Sequence, residues 1–278
     1  MLIGAVVRDF NDPFFAGALE VLAVEALAHG YNIVLGHVAG REQEVPGLPA
    51  VLEPRHCDAV LMLGEMEDQP QLLADLRAAR EPVVALWQGN SPLWFPTVDV
   101  DDRKGTSIGL EHLVAQGHRR IGFVSARLPI DNPTREESYV AFMSQHFGGV
   151  PEGYLQRCDN SLAGGEKALG AMLRSPEAPT AVACSTDLAA VGVLHGAHSH
   201  GILVPDGLSV VGFDDLMYAA YTIPALTTLR MPTSEIVAEA MRMAMAFVAD
   251  SNLSRAPART TFDPTLVVRA STAPPRPA

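Results

Sequence analysis

The sequence predicts an α/β protein made of two doubly wound parallel sheets. Short apolar runs alternate with helix-period segments almost throughout, the pattern of repeated strand–helix units. The chain has 278 residues, 48% of them apolar and 19% charged, enough for two such sheets with separate cores. Polar residues stand directly after the apolar runs, where a parallel sheet presents its ligand crevice. The clearest case is S-V-V-G-F at 209–213, a short buried strand that ends on Asp214 and Asp215. Either acid caps the next segment or accepts hydrogen bonds from a bound molecule.

The elements follow in order. Residues 2–7 read as a strand. Residues 13–29 read as a helix, with Asp12 as N-cap, Pro13 in the first turn and Gly30 as the stop. A strand at 32–37 precedes a loop and helix at 41–55, broken by Pro46, Pro49 and Pro54. Then come a strand at 59–63, a helix at 71–80 and strands at 83–86 and 97–100. The second run has a helix near 103–116 closed by Gly117, a strand at 120–125 and a helix at 134–146. It continues with a strand-like 155–158, a helix at 164–174, a strand at 181–184, a helix at 188–198 and a strand at 210–213. Residues 233–249 form an amphipathic helix rich in Met and Ala, 259–268 a final extended segment, and 273–278 a disordered tail.

Composition excludes several functions. A net charge of −12 gives no general attraction to a phosphate backbone. Lys104 and Lys167 are the only lysines. Cys57, Cys158 and Cys184 are far apart, without C-x-x-C spacing, which suits buried thiols in a reducing cytoplasm. The apolar opening is too short for a secretion signal, and no stretch reaches the roughly 20 apolar residues of a membrane span. His195, His198 and His200 lack the spacing of a zinc helix and read as a solvated face. His112 and His118 suit packing or capping. No nucleophile elbow, phosphate loop or H-E-x-x-H is present, so neither catalysis nor a cofactor is indicated.

Several blocks, in order, carry a resemblance. They are D-F-N-D-P-F-F at 9–15, H-G-Y-N-I-V-L-G at 29–36 and C-D-A-V-L-M-L-G at 57–64. V-D-V-D-D at 98–102 leads into a long block ending in G-H-R-R-I at 117–121. Arg135 and Tyr139 follow, then S-T-D-L-A-A-V-G at 185–192, V-V-G-F-D-D at 210–215, L-T-T-L-R at 226–230 and D-P-T-L-V-V-R at 263–269. Together they resemble the effector-binding region of the lactose-repressor/galactose-repressor family of transcription regulators. Ser138 and Thr186 stand where that family has glycine and asparagine.

The resemblance implies two periplasmic-binding-protein-like (type I) lobes joined by several crossovers. One lobe is expected to hold 1–99 and about 229–258, the other about 100–228 and 259–272. It implies a small polar effector, a sugar or less readily a purine, bound between the lobes and shifting their closure. Arg135 offers a guanidinium fork to adjacent hydroxyls, and Asp214 accepts their protons. Thr186 faces the crevice, while Asp187 reads as a helix cap and Asp215 as structural. On the other lobe the candidates are Asp9, Asn11, Phe14 and Phe15, one phenylalanine being core, with Phe14 favoured for the cleft. Trp87, beside Gln88, is a sugar platform or a packing residue. Asp159 and Asn160 are rim candidates.

Homodimerisation through the helices at 13–29 and 235–248 is also implied. Operator DNA is expected to be read only by a helix-turn-helix that this chain does not include. The other classes are a transporter's solute receptor, which shares the fold, and an enzyme using the same cleft.

Overall fold

Buried aliphatic runs make the strands. In β1 (Leu2–Val7), β3 (Ala59–Leu63), β4 (Val83–Leu86) and β5 (Thr97–Val100) nearly every side chain is buried. That is the mark of parallel strands covered on both faces. The computed structural model describes residues 1–38, 57–89, 92–127 and 133–276, so the loop and helix expected at 41–55 lie outside the described residues.

The chain divides into two units, Met1–Val100 with Pro232–Phe262, and Asp101–Met231 with Asp263–Ala278. In the first, β2 (Asn32–His37) and β11 (Arg259–Phe262) complete a parallel sheet of order β11-β5-β4-β3-β1-β2. Helix α1 (Pro13–Ala28) starts as expected: the Asp12 carboxylate accepts from the Phe14 N–H at 2.9 Å, Pro13 opens the first turn, and Gly30 follows with φ +76°. Helix α2 (Pro70–Ala78) buries Leu72, Leu73 and Leu76. The helix at 233–249, numbered α7 in chain order (Thr233–Ala249), buries Ile236, Val237, Ala240, Met241, Ala244 and Phe247 against β3, β4, β5 and α1.

The second unit contains β6 (Ile121–Arg127), β7 (Leu155–Asp159), β8 (Ala181–Cys184), β9 (Ser209–Asp214), β10 (Thr227–Arg230) and β12 (Thr265–Val267). Their order is β12-β10-β9-β8-β6-β7, parallel except that β12 runs antiparallel to β10. Helices α3 (Asp102–Ala115) and α4 (Thr134–Phe147) pack on each other, as do α5 (Leu162–Met172) and α6 (Asp187–Ser199). In both sheets the strand order reverses beside the unit's first strand, between β1 and β3 and between β6 and β8. Such a switch point opens a crevice outside the carboxyl ends.

The structure corrects three expectations. Strand β10 was not read as one because Thr227 and Thr228 look like turn residues. Both are fully buried, and their hydroxyls and amides find partners in Asp187, Ser271 and Arg269. The single extended segment at 259–268 is two strands in different units: β11 pairs with β5 and β12 with β10, so the chain changes units at 262/263. The tail is not loose through Arg276. The Ser209 hydroxyl accepts from the Ala273 N–H and donates to the Ala273 carbonyl, both at 3.0 Å. His118 meets Thr180 at 2.9 Å and Ser209 at 3.0 Å, and Arg276 pairs with Asp206 at 2.7 Å.

The α5–α6 contact is backbone to backbone. A Cβ on Gly165 would lie 2.1 Å from the Ala189 carbonyl oxygen, and one on Gly192 would lie 2.1 Å from that of Leu162. Neither neighbour is a side chain that can swing away. Gly165→Ala should therefore cost about 2–3 kcal/mol, read as a lower urea midpoint at unchanged m-value.

Candidate functional site

The carboxyl ends of the second sheet gather a buried charge cluster around Arg135, in the first turn of α4. Its Nε donates to Asp102 Oδ1 at 2.7 Å, and its Nη1 donates to the Ser185 carbonyl beyond β8. Asp214 Oδ1, at the end of β9, stands 3.6 Å from Nη1, an ion pair beyond direct hydrogen-bonding range. The guanidinium carbon sits 3.6 Å from the centre of the Phe213 ring, a cation–π stack. Among the described residues Nη2 has only the weak Met231 sulfur, at 4.0 Å. The side chains of Arg135, Asp102 and Asp214 are 16%, 5% and 8% exposed. Burial opposes the charge on Arg135, but Asp102 and then Asp214 outweigh it, so its pKa lies above the ordinary value.

Backbone strain is concentrated at these strand ends. Among the described residues the non-glycine positions with positive φ are Trp87 (55°), Asp214 (120°) and Asp215 (56°). Each follows or ends a central strand, a costly conformation that persists only where the surroundings enforce it.

Asp215 turns to the frame. It accepts from Arg230 Nε at 2.6 Å and Arg269 Nη2 at 2.5 Å, tying the end of β9 to β10 and to the segment after β12. Asp187 is not the expected helix cap. Thr186 caps α6, accepting from the Ala189 N–H at 3.2 Å, and its hydroxyl donates to Asn160 Oδ1 at 2.9 Å. The Thr186 hydroxyl, which the resemblance placed at the crevice, thus donates its proton to Asn160.

Asp187 is fully buried. It accepts from Thr228 Oγ1 at 2.5 Å and the Leu216 N–H at 2.8 Å. Gly212 leaves it room, since a Cβ there would lie 2.1 Å from Asp187 Oδ1. Burial pushes its carboxyl up to about 7, against the two hydrogen bonds that favour the charged form. Asp159 is exposed and Asn160 half-buried.

The first unit brings its aromatic candidates together. Phe14 meets Trp87 edge-on at 5.0 Å and Phe15 at 5.3 Å. Phe15 is core, Phe14 half-buried, and Trp87 7% exposed, its indole N–H without a partner among the described residues. The Gln88 amide donates to the Gly64 carbonyl at 2.7 Å and the Leu86 carbonyl at 3.0 Å, which joins the ends of β3 and β4. Asp9 closes a turn by accepting from the Asn11 N–H at 2.8 Å, and Asn11 is exposed. Arg8, unnoticed in the sequence, is buried, and its Nη1 and Nη2 donate to Asp68 at 2.6 and 2.7 Å. Asp102, Ser185 and Phe213 also went unassigned; all three flank strand ends, the one signal that points to them.

His195 and His200 find Glu166 and the Gly196 carbonyl, and no group of three metal-ligating side chains occurs among the described residues. No helix among them is long and apolar enough to cross a membrane.

Residues 110–272 match the family model of a periplasmic binding protein-like domain. The repressor CytR of Escherichia coli is 31% identical over 239 residues, 85% of this chain and 69% of its own length. The chain belongs to the lactose-repressor/galactose-repressor family of transcription regulators. The fold agrees with that. A LacI family regulator from Enterococcus faecium, crystallised with bound ribose, superposes with a TM-score of 0.83 at 22% identity, each chain covered to 99%. A lac repressor dimer bound to operator gives 0.83 at 20% identity, over 98% of this chain and 94% of that one. The part present here is the effector-binding core of such a regulator, and the family's members are not enzymes.

Asp187 gives a pH dependence with a definite sign. Its folded-state pKa lies above the unfolded value near 3.8, so folding tightens proton binding. The associated stability is complete below about pH 4 and is lost as pH rises through about 7. Asp187→Asn should remove this slope. Urea denaturation from pH 4 to 8 should show the wild type losing stability relative to the variant up to about pH 7, with the two curves parallel above it.

Proposed function

We propose that the chain senses a small polar effector, a sugar or related polyol, held by Arg135 and Asp214 at the switch point of the second sheet. The observation that carries this reading is the state of Arg135. Its guanidinium is clamped at Nε, stacked on Phe213, and left at Nη2 with only a sulfur contact among the described residues. A hydroxyl could accept from Nη2 while donating to Asp214, the paired donor and acceptor that a polyol needs. In the first unit, Trp87 and Phe14 are the aromatic ligand candidates, their ring faces suited to C–H patches, and the indole N–H has no partner among the described residues.

An effector bound more tightly by one conformation of the core would shift the population toward it by its differential affinity. Coupled to a DNA-reading headpiece in a homodimer, that shift would change operator affinity, which makes the effector allosteric. Relatives supply the precedents: bound ribose in the Enterococcus faecium regulator, and a dimer on operator in the lac repressor. The setting in this reading is the cytoplasm. The solute-receptor alternative has no observation of its own in its favour.

Thermal-shift and calorimetric screening against ribose, cellobiose, other sugars and nucleobases should find a saturable stabiliser. Arg135→Lys keeps the charge but loses the planar fork, and Asp214→Asn keeps the shape but loses the charge. Each should weaken binding roughly ten- to hundredfold with unchanged far-ultraviolet circular dichroism. Wild-type affinity in both folded variants would refute the site.

A further inference from the structure

Residues 271–276 cross the amino ends of the second unit's strands without joining a helix or a strand themselves. Side chains and isolated backbone bonds hold them. The Ser271 carbonyl accepts from the Val210 N–H at 2.8 Å, and the Ser271 hydroxyl donates to the Val210 carbonyl at 2.6 Å. Ala273 exchanges two bonds with the Ser209 hydroxyl. Ser209 and Val210 open β9, the strand that ends on Asp214.

Two histidines grip the same segment. His118 is 1% exposed, and its Nε2 lies 2.9 Å from the Ala273 carbonyl. A carbonyl only accepts, so Nε2 carries the proton of the neutral ring, and Nδ1 is left to accept from the Thr180 hydroxyl at 2.9 Å. His112, half-buried on α3, meets the Thr272 hydroxyl at 3.0 Å through its own Nε2.

We propose that residues 271–276 form an acid-released strap, closed while His118 and His112 are uncharged and loosened from β9 when they take up protons. Burial holds both imidazoles below the ordinary value of 6.5. At His118 the Ala273 carbonyl, which favours the charged ring, offsets only part of that, and the charge of His112 adds to the lowering. Near these rings the flanking elements carry Glu111 beside His112, Arg119 and Arg120 ahead of β6, and Glu177, which pairs with Arg120 at 3.5 Å. Arg269 is bound to Asp215 and Arg276 to Asp206. Among the described residues no carboxylate pairs with either ring, so a charge there would stay uncompensated.

Each ring thus binds its proton less tightly in the folded chain than in the unfolded one. The stability this lends is complete above about pH 6.5 and is lost as pH falls through the lower folded values. The sign is opposite to that of Asp187, so a global denaturation curve mixes the two effects. A local readout separates them. The segment belongs to no strand ladder, so it opens at lower cost than the sheet beneath it.

The test is amide hydrogen exchange of the full chain at pH 7.5 and 5.0, followed by mass spectrometry and corrected for the intrinsic pH dependence of exchange. Peptides covering 268–276 should lose protection at least about tenfold at pH 5.0, while those from β6 and β8 keep theirs. In the double variant His112→Gln/His118→Gln, each amide can still donate to the segment but cannot take up a proton, and the loss should disappear. A nuclear magnetic resonance titration of the wild-type histidine rings is the second measurement, and needs no variant. The His118 ring should titrate below 6.5, in step with the loss of protection. Equal protection of 268–276 at both pH values in the wild type would overturn the proposal. So would a folded double variant that keeps the full loss, or a His118 ring that titrates at or above 6.5.

Discussion

One buried carboxylate fixes the geometry on which the second unit's candidate site depends. Asp187 joins three elements at once: it lies in the first turn of α6, accepts from Thr228 on β10, and accepts from the amide of Leu216 just beyond β9. The loop leaving β9 therefore has a fixed course. Asp214 and Asp215 hold their positive φ angles within that loop, and opposite tasks follow for neighbouring acids. Asp215 is drawn to Arg230 and Arg269, and Asp214 is left toward Arg135. Gly212 is the steric condition for the arrangement, since any side chain there would occupy the space of the Asp187 carboxylate.

Much of this fold was legible because its strands are short apolar runs and its helices begin and end on caps. Asp12, Pro13 and Gly30 bound α1 where the sequence put them. β10 was not legible, because two buried threonines look polar until their partners are known, and those partners lie 41 and 44 residues away in the chain. The division of 259–268 between units was hidden for a similar reason: pairing partners are a tertiary property.

The site was legible as a set of strand ends, and less so as a set of roles. Arg135 and Asp214 were found together, 79 positions apart in the numbering, and the structure brings them to 3.6 Å. Thr186 and Asp187 illustrate the limit. Either can cap α6, and only the burial of Asp187 under β9 and β10 decides that threonine does so. Asp102 was given no role from the sequence, whereas in space it is the acid nearest to Arg135.

The pairing of β11 and β12 with different units has a consequence for synthesis. The first unit's sheet lacks its edge strand until residues 259–262 are made, and the second lacks β12 and the clasp on Ser209 until later still. Neither unit can close as the ribosome releases it, as a contiguous domain would. Both wait with an open sheet edge until β11 and β12 have emerged. Long-range pairings of this kind slow folding and leave edges exposed to other chains. The nascent protein is thus most vulnerable to aggregation when the helices are formed and the two edge strands are still missing.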